Sequence, residues 1–209
     1  MDFTSLMDLI KDEPLFTTGL LKVSGVKPAQ ITLQLVRWVK AGRLIQLRRG
    51  VYALSGPYRK VDPHPFLIAN TLNRASYVSL QSALAWYSMI PEYVPEVTSV
   101  TTGRPELVTT GVGAFLFRHV KPELFSGFCR IEVVERQQAI VATPEKALVD
   151  LLYLTPASDS AGYLEELRLQ NMESLNRKAL RKWAILTCSD KVQRAVRHFV
   201  TIFHEGRRA

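Results

Sequence analysis

Cysteine is almost missing from this chain, with two among 209 residues, Cys129 and Cys188. They lie far apart and lack a CxxC spacing. That excludes a disulfide framework and a thiolate zinc site, and it makes a reducing cytoplasm the expected compartment. Long apolar runs are missing too: no stretch approaches the ~18 to 20 residues of a membrane span. The opening residues, MDFTSLMDLIKDE, are acidic and amphipathic rather than basic and then apolar, so no secretory signal is expected. His64, His119, His198 and His204 fall into no HxxxH or other close ligand spacing. GxSxG, P-loop and GxGxxG patterns do not occur, and Gly111-Val112-Gly113 reads as a hairpin turn. No catalytic residue, metal site or cofactor is expected.

What is present is a real core and a segregated charge. Hydrophobic residues make up 47% of the chain, too much for a disordered tail. The net charge of +8 is unevenly spread. Residues 1–61 carry 10 Lys/Arg against 4 Asp/Glu, residues 62–160 carry 7 against 10, and residues 161–209 carry 10 against 5. Two basic ends flank an acidic middle, an arrangement that suits a polyanionic partner at the ends.

The most telling stretch is 27–52, KPAQITLQLVRWVKAGRLIQLRRGVY. Pro28 suits a first helical turn. Ile31, Leu35, Trp38 and Val39 recur at the spacing of one buried helical face. Gly42 is placed to end the helix in the left-handed region, which costs glycine little. Leu44, Gln46 and Arg48 then alternate with Ile45, Leu47 and Arg49 as a strand does, leading into an Arg-Arg-Gly turn. Beside and opposite the apolar stripe the helix offers Lys27, Gln30, Gln34, Arg37 and Ala41, with no carboxylate. Gln and Arg are the side chains that read adenine and guanine edges in the major groove. Arg48 and Arg49, at the hairpin turn, are placed to reach phosphates. The segment reads as the recognition helix and wing of a winged helix-turn-helix, against the plainer reading of an amphipathic helix with a solvated face. Leu33 and Val36 lie off the buried stripe and are expected to pack against the rest of the chain or a second subunit.

A short helix over 4–12, capped by Thr4 or Ser5, and a second over 19–24, capped by Thr17 or Thr18, precede this segment. Thr18 either serves only as a cap or also turns its backbone amide toward a phosphate. Gly25 makes the turn into the third helix. The order helix, helix, helix, hairpin completes a winged-helix domain over 1–57. A proline-bearing linker, YRKVDPHP, leads to an α+β domain over 65–160 with helices over 66–74 and 80–88. Strands follow over 97–102, 114–120, 128–134 and 139–142, and then a helix that Thr143 caps and Pro144 opens. The last part, 161–209, reads as three helices over 163–169, 175–186 and 189–204. On the final one Val192, Val196, Phe199, Val200 and Phe203 line one side. Lys191, Arg194 and Arg197 line another, joined by Arg207 and Arg208, as a solvated face or a basic partner surface. The fold class expected is α+β.

Glu132 and Glu135 lie on a strand, as acidic ligands of metal-dependent nucleases do. No lysine follows them, and period-two alternation sends them to opposite faces. A winged helix that docks a protein rather than DNA is a further alternative.

The stretches LVRWVKAGRLIQLRRGVYAL (35–54), YVSLQSALAWYSMIP (77–91) and ATPEKALVDLLYL (142–154) together make the chain similar to the AbiEi-like antitoxins of type IV toxin–antitoxin systems. The resemblance covers roughly residues 1–155. It implies a winged-helix DNA-binding domain followed by an α+β antitoxin domain. It also implies repression of an operon through inverted repeats in double-stranded DNA, and neutralisation, direct or functional, of a nucleotidyltransferase-like toxin. By position, the DNA-contacting part falls on the helix over 27–37 and on Arg48 and Arg49. Ser79, Ser82, Pro144, Glu145, Lys146 and Asp150 fall in the later motifs, where a structural role is implied, with Lys146 and Asp150 paired at i,i+4.

Overall fold

The computed structural model describes residues 1–21, 27–92 and 94–205, with side chains up to Thr201. Ser24, Gly25, Arg207 and Arg208 lie outside the described residues, as do the side chains of Phe203 and His204.

The first helix, α1 (Phe3–Ile10), starts one residue before the expected 4–12 and ends two residues short of it. Asp2, not Thr4 or Ser5, is the N-cap: its carboxylate accepts the Ser5 amide at 2.8 Å, which holds the carboxyl below its ordinary range. A two-residue strand, β1 (Phe16–Thr17), precedes α2 (Thr18–Leu21). Helix α3 (Pro28–Lys40) buries Ile31, Leu35 and Trp38, with Val39 half-buried beside them. Gly42 ends it at φ +68°, where the Gly42 amide bonds the Val39 carbonyl and the Arg43 amide the Trp38 carbonyl. This is the paired bonding that a left-handed glycine permits. The hairpin β2 (Leu44–Arg48) and β3 (Val51–Leu54) follows. It forms a three-stranded sheet in the order β1-β3-β2, and Phe16 stacks on Tyr52.

This small sheet is buried on both sides. Leu44, Tyr52 and Leu54 join Leu6, Ile10, Phe16, Leu21 and the stripe of α3 in one core. Leu47 and Ala53, with Ile45 and Val51 at the margin, join the core of the following domain. Neither face of the wing is left to solvent. The register shifts between Gln46 and Arg48, so that the pair Gln46 with Tyr52 is followed by Arg48 with Val51. Such a bulge sets two residues against one and breaks the alternation expected for the strand. Arg48 therefore turns toward the second domain. Its guanidinium grips Glu106 at 2.9 and 3.3 Å and donates to the Leu72 carbonyl at 3.1 Å. The expected phosphate contact is replaced by a contact between domains.

The second domain begins with α4 (Pro65–Leu72), capped by His64, whose Nδ1 accepts the Phe66 amide. It continues through β4 (Ser76–Val78), α5 (Leu80–Trp86), β5 (Glu96–Thr101), β6 (Glu106–Thr110), β7 (Gly113–His119), β8 (Phe128–Val134) and β9 (Gln137–Ala142). Among the described residues the strands form one mixed sheet in the order β6-β7-β5-β4-β9-β8. The β5–β7 and β4–β9 pairs are parallel and the rest antiparallel. Then come α6 (Pro144–Leu154), α7 (Ala161–Glu166), α8 (Arg177–Leu186) and α9 (Asp190–Glu205). Leu180 and Ala184 of α8 and Val192, Val196 and Phe199 of α9 share the core of α6 and the sheet. The basic C-terminal helices are thus packed on the α+β domain.

An ion pair lies inside this core. Lys146 and Asp150, each 2% exposed, bond one another along α6. The Asp150 carboxylate also accepts the Tyr77 hydroxyl at 2.9 Å and the Ser79 hydroxyl at 2.8 Å, while Lys146 donates to the Tyr77 oxygen at 2.8 Å. Burial pushes the Asp150 carboxyl up, and Lys146, Ser79 and Tyr77 pull it back down. Trp183 of α8 covers the ammonium, with its ring centre 5.9 Å from Nζ. Gly127 admits that ring: a Cβ there would stand 2.6 Å from Trp183 Cζ2. Ser82 and Thr98 tie the first turn of α5 to β5, each backbone amide donating to the other's hydroxyl. The Glu145 carboxylate accepts the Asn176 amide at 2.7 Å and so anchors the start of α8.

Two stability effects are expected. Removing one charge of the buried pair leaves the other uncompensated, so Asp150→Asn or Lys146→Met should each cost about 3–5 kcal/mol in urea unfolding. The double change Lys146→Met with Asp150→Leu should recover much of that loss, and a double variant as unstable as the sum of the singles would contradict this account. Arg48 and Glu106 are both partly exposed, with side chains 45% and 32% accessible, which limits their pairing. A double-alanine cycle on the two should return a coupling of about 0.2–1 kcal/mol. Zero coupling would mean that the pair does not hold the wing.

Candidate nucleic-acid interface

The α3 face opposite the Ile31–Leu35–Trp38 stripe is made of Ala29, Leu33, Val36 and Lys40, all exposed. At about 100° per residue these four share one line at i, i+4, i+7 and i+11. Gln30 and Arg37 flank the line on one side and Thr32 on the other, and all three are exposed. Lys27, exposed, stands at the N-cap. The helix carries no acidic residue. Arg49 is exposed at the tip of the hairpin, beside Gly50 at φ +83°.

Three expected contact residues are placed otherwise. Gln34 sits between the outer face and the buried stripe; it is half-buried, and its Oε1 is enclosed without a partner. It stands three residues after Ile31 and four before Trp38, about 60° and 40° from them on the wheel, which carries it inward. The Thr18 amide donates to the Gly50 carbonyl at 3.0 Å, so it closes the hairpin onto α2 rather than facing a phosphate. Arg48 is held by Glu106, as described above. Leu33 and Val36 are 52% and 45% exposed, so they do not pack on the second domain. The sequence reading set them on a flank of the outer face, whereas they lie at its centre. The missed signal was the line Ala29–Leu33–Val36–Lys40, readable from the 100° rotation once Ile31, Leu35 and Trp38 fix the inner side.

The basic C-terminal residues divide as well. Lys191 donates to the carbonyls of Tyr153 and Thr155 at 3.0 and 2.6 Å, close to the C-terminus of α6. Burial pushes its ammonium below the ordinary lysine range. Arg194 pairs with Asp159 at 2.8 Å. Arg197 is exposed. The continuous basic stripe of this part lies instead on α8, where Lys178, Arg181 and Lys182 are exposed in succession with Ile185, 64% exposed.

Glu132, the candidate metal ligand, accepts the Arg136 amide at 3.0 Å and closes the β8–β9 turn. Glu135 is in that turn. Among the described residues no three His, Cys, Asp or Glu side chains are grouped closely enough to hold a metal ion. No helix among them is long and apolar enough to cross a membrane.

A family model described as "Transcriptional regulator, AbiEi antitoxin" matches residues 5–55, the segment that holds α1 to β3. A search of curated proteins finds no match. Among solved structures, the crystal structure of the RV2827C protein from Mycobacterium tuberculosis is similar at a TM-score of 0.50 and 15% identity. That likeness covers 94% of this chain and 79% of that one, and it speaks for the fold alone. The helices and wing assembled above are thus the part of the chain that is similar to an AbiEi antitoxin transcriptional regulator.

Proposed function

We propose that this chain is a sequence-specific DNA-binding repressor of its own toxin–antitoxin operon, and the antitoxin that counteracts a nucleotidyltransferase-type toxin. The observation that carries the DNA reading is the outer surface of α3. It is exposed along its length, free of carboxylates, and carries Lys27, Arg37 and Lys40. Gln30 and Arg37 are the base readers in this proposal, since Gln pairs bidentately with adenine and Arg with guanine. Lys27, Lys40 and Arg49 contact phosphates, which fix register and supply the salt-dependent part of the affinity. Gln34, Thr18 and Arg48 support the reading surface from behind. The antitoxin half rests on the family match over residues 5–55. It is tested by coexpressing the chain with the product of the adjacent gene and scoring growth.

Binding to the DNA upstream of its own gene, compared with shuffled duplex, separates the two kinds of contact. Arg37→Ala should cost about 1–3 kcal/mol and relax selectivity at one base pair. Arg49→Ala should weaken binding to every sequence alike and lower the salt slope by about 1. Binding that neither substitution alters would sink the assignment of this face to DNA.

A further inference from the structure

The centre of the proposed reading face is apolar. Leu33 and Val36 are 52% and 45% exposed, three residues apart, between Ala29 and Lys40 and opposite the buried stripe. Exposed aliphatic pairs of this kind, rimmed by polar groups, mark a surface that something covers. We infer that they read the C5-methyl groups of thymine in the major groove, so that the operator must carry thymines at the centre of each half-site. This rests on the DNA-binding reading above and specifies what that face recognises.

Charge decides between the possible occupants. A twofold contact between copies would set the patch against itself. Arg37 and Lys40 would then meet their own counterparts, with no carboxylate on α3 to relieve them. Duplex DNA supplies the opposite pattern, with phosphates for the basic rim and methyl groups on the groove floor for the aliphatic centre. The thymine methyl is the one apolar group that the base edges present there. Gln30 supports the same class of base pair, since it stands beside this line and its amide suits the adenine partner of a thymine.

The test begins with full-length protein and a randomised duplex library. Thymines in the retained duplexes are then replaced one at a time by deoxyuracil, which deletes the methyl and leaves the pairing intact. The wild-type chain should lose about fourfold in affinity at one or two positions, the value of burying one methyl group. Leu33→Ala or Val36→Ala should bind the thymine and uracil duplexes equally at those positions. Both side chains are exposed, and a thermal melt of each variant confirms that it folds. Retained duplexes that are indifferent to uracil overturn the methyl readout and leave DNA binding standing. A uracil penalty that survives both alanine variants overturns it too, as does loss of self-association by those variants without any change in thymine preference. If no duplex is retained, the DNA-binding reading itself falls and this inference falls with it.

Discussion

The wing hairpin, buried on both faces, is the constraint on which the rest of the arrangement depends. A two-stranded hairpin is marginal by itself in water. Here β1 adds a third strand, the helices α1 to α3 cover one face, and the second domain covers the other. The sequence Val-Tyr-Ala-Leu of β3 has no polar member because each of its residues meets one core or the other. A strand covered on both sides reads as a continuous apolar run, whereas a half-exposed one alternates. Gln46 and the tip residues Arg48 and Arg49 stay exposed, and at the tip the bulge divides the labour. Arg48 clasps Glu106 and Arg49 is left outside.

The second domain is held on a different principle. Its polar centre, Lys146, Asp150, Tyr77 and Ser79, joins α6 to the middle of the sheet, with Trp183 of α8 as a lid. Desolvating two charges costs more than a hydrophobic pair would, and satisfied lone pairs offset it only when the geometry is complete. Here the carboxylate has three donors, and the ammonium has the carboxylate, a phenol oxygen and two aromatic faces. Such a network tolerates few alternative packings. It fixes the position of α6 and, through Glu145 and Asn176, that of the C-terminal helices.

Much of this was legible in the sequence, and the failures have physical reasons. The start of α6 and the stops at Gly42 and the hairpin turn were readable, because caps and left-handed glycines are local chemistry. Strands β1 and β4 were not: two or three residues such as Phe16–Thr17 and Ser76–Val78 carry no period, and only tertiary pairing makes them strands. The Lys146–Asp150 spacing was visible, but i,i+4 suits an exposed pair as well as a buried one, so its burial beneath Trp183 was hidden. The bulge that redirects Arg48 leaves no mark in a pattern of alternate residues. Gln34 was misplaced because its chemistry suits a groove while its angle on the helix, close to those of Ile31 and Trp38, does not.

The direction of the outer face of α3 follows from these two anchors. Helix α3 rests on β2 and β3 through Leu35, Trp38, Leu44 and Leu54, and those strands rest on the second domain through Leu47 and Ala53. No interdomain hinge in this segment could move α3 without baring apolar surface on both sides of the wing, at about 25 cal/mol for each Å² exposed. A partner bound to the second domain would alter DNA affinity only through unequal contacts in two states of this interface. The Arg48–Glu106 clasp, partly exposed and worth at most about 1 kcal/mol, is too weak to lock the domains alone. The apolar contacts around Leu47 and Ala53 bear that load. The clasp instead ties the wing tip, next to Arg49, to the second domain.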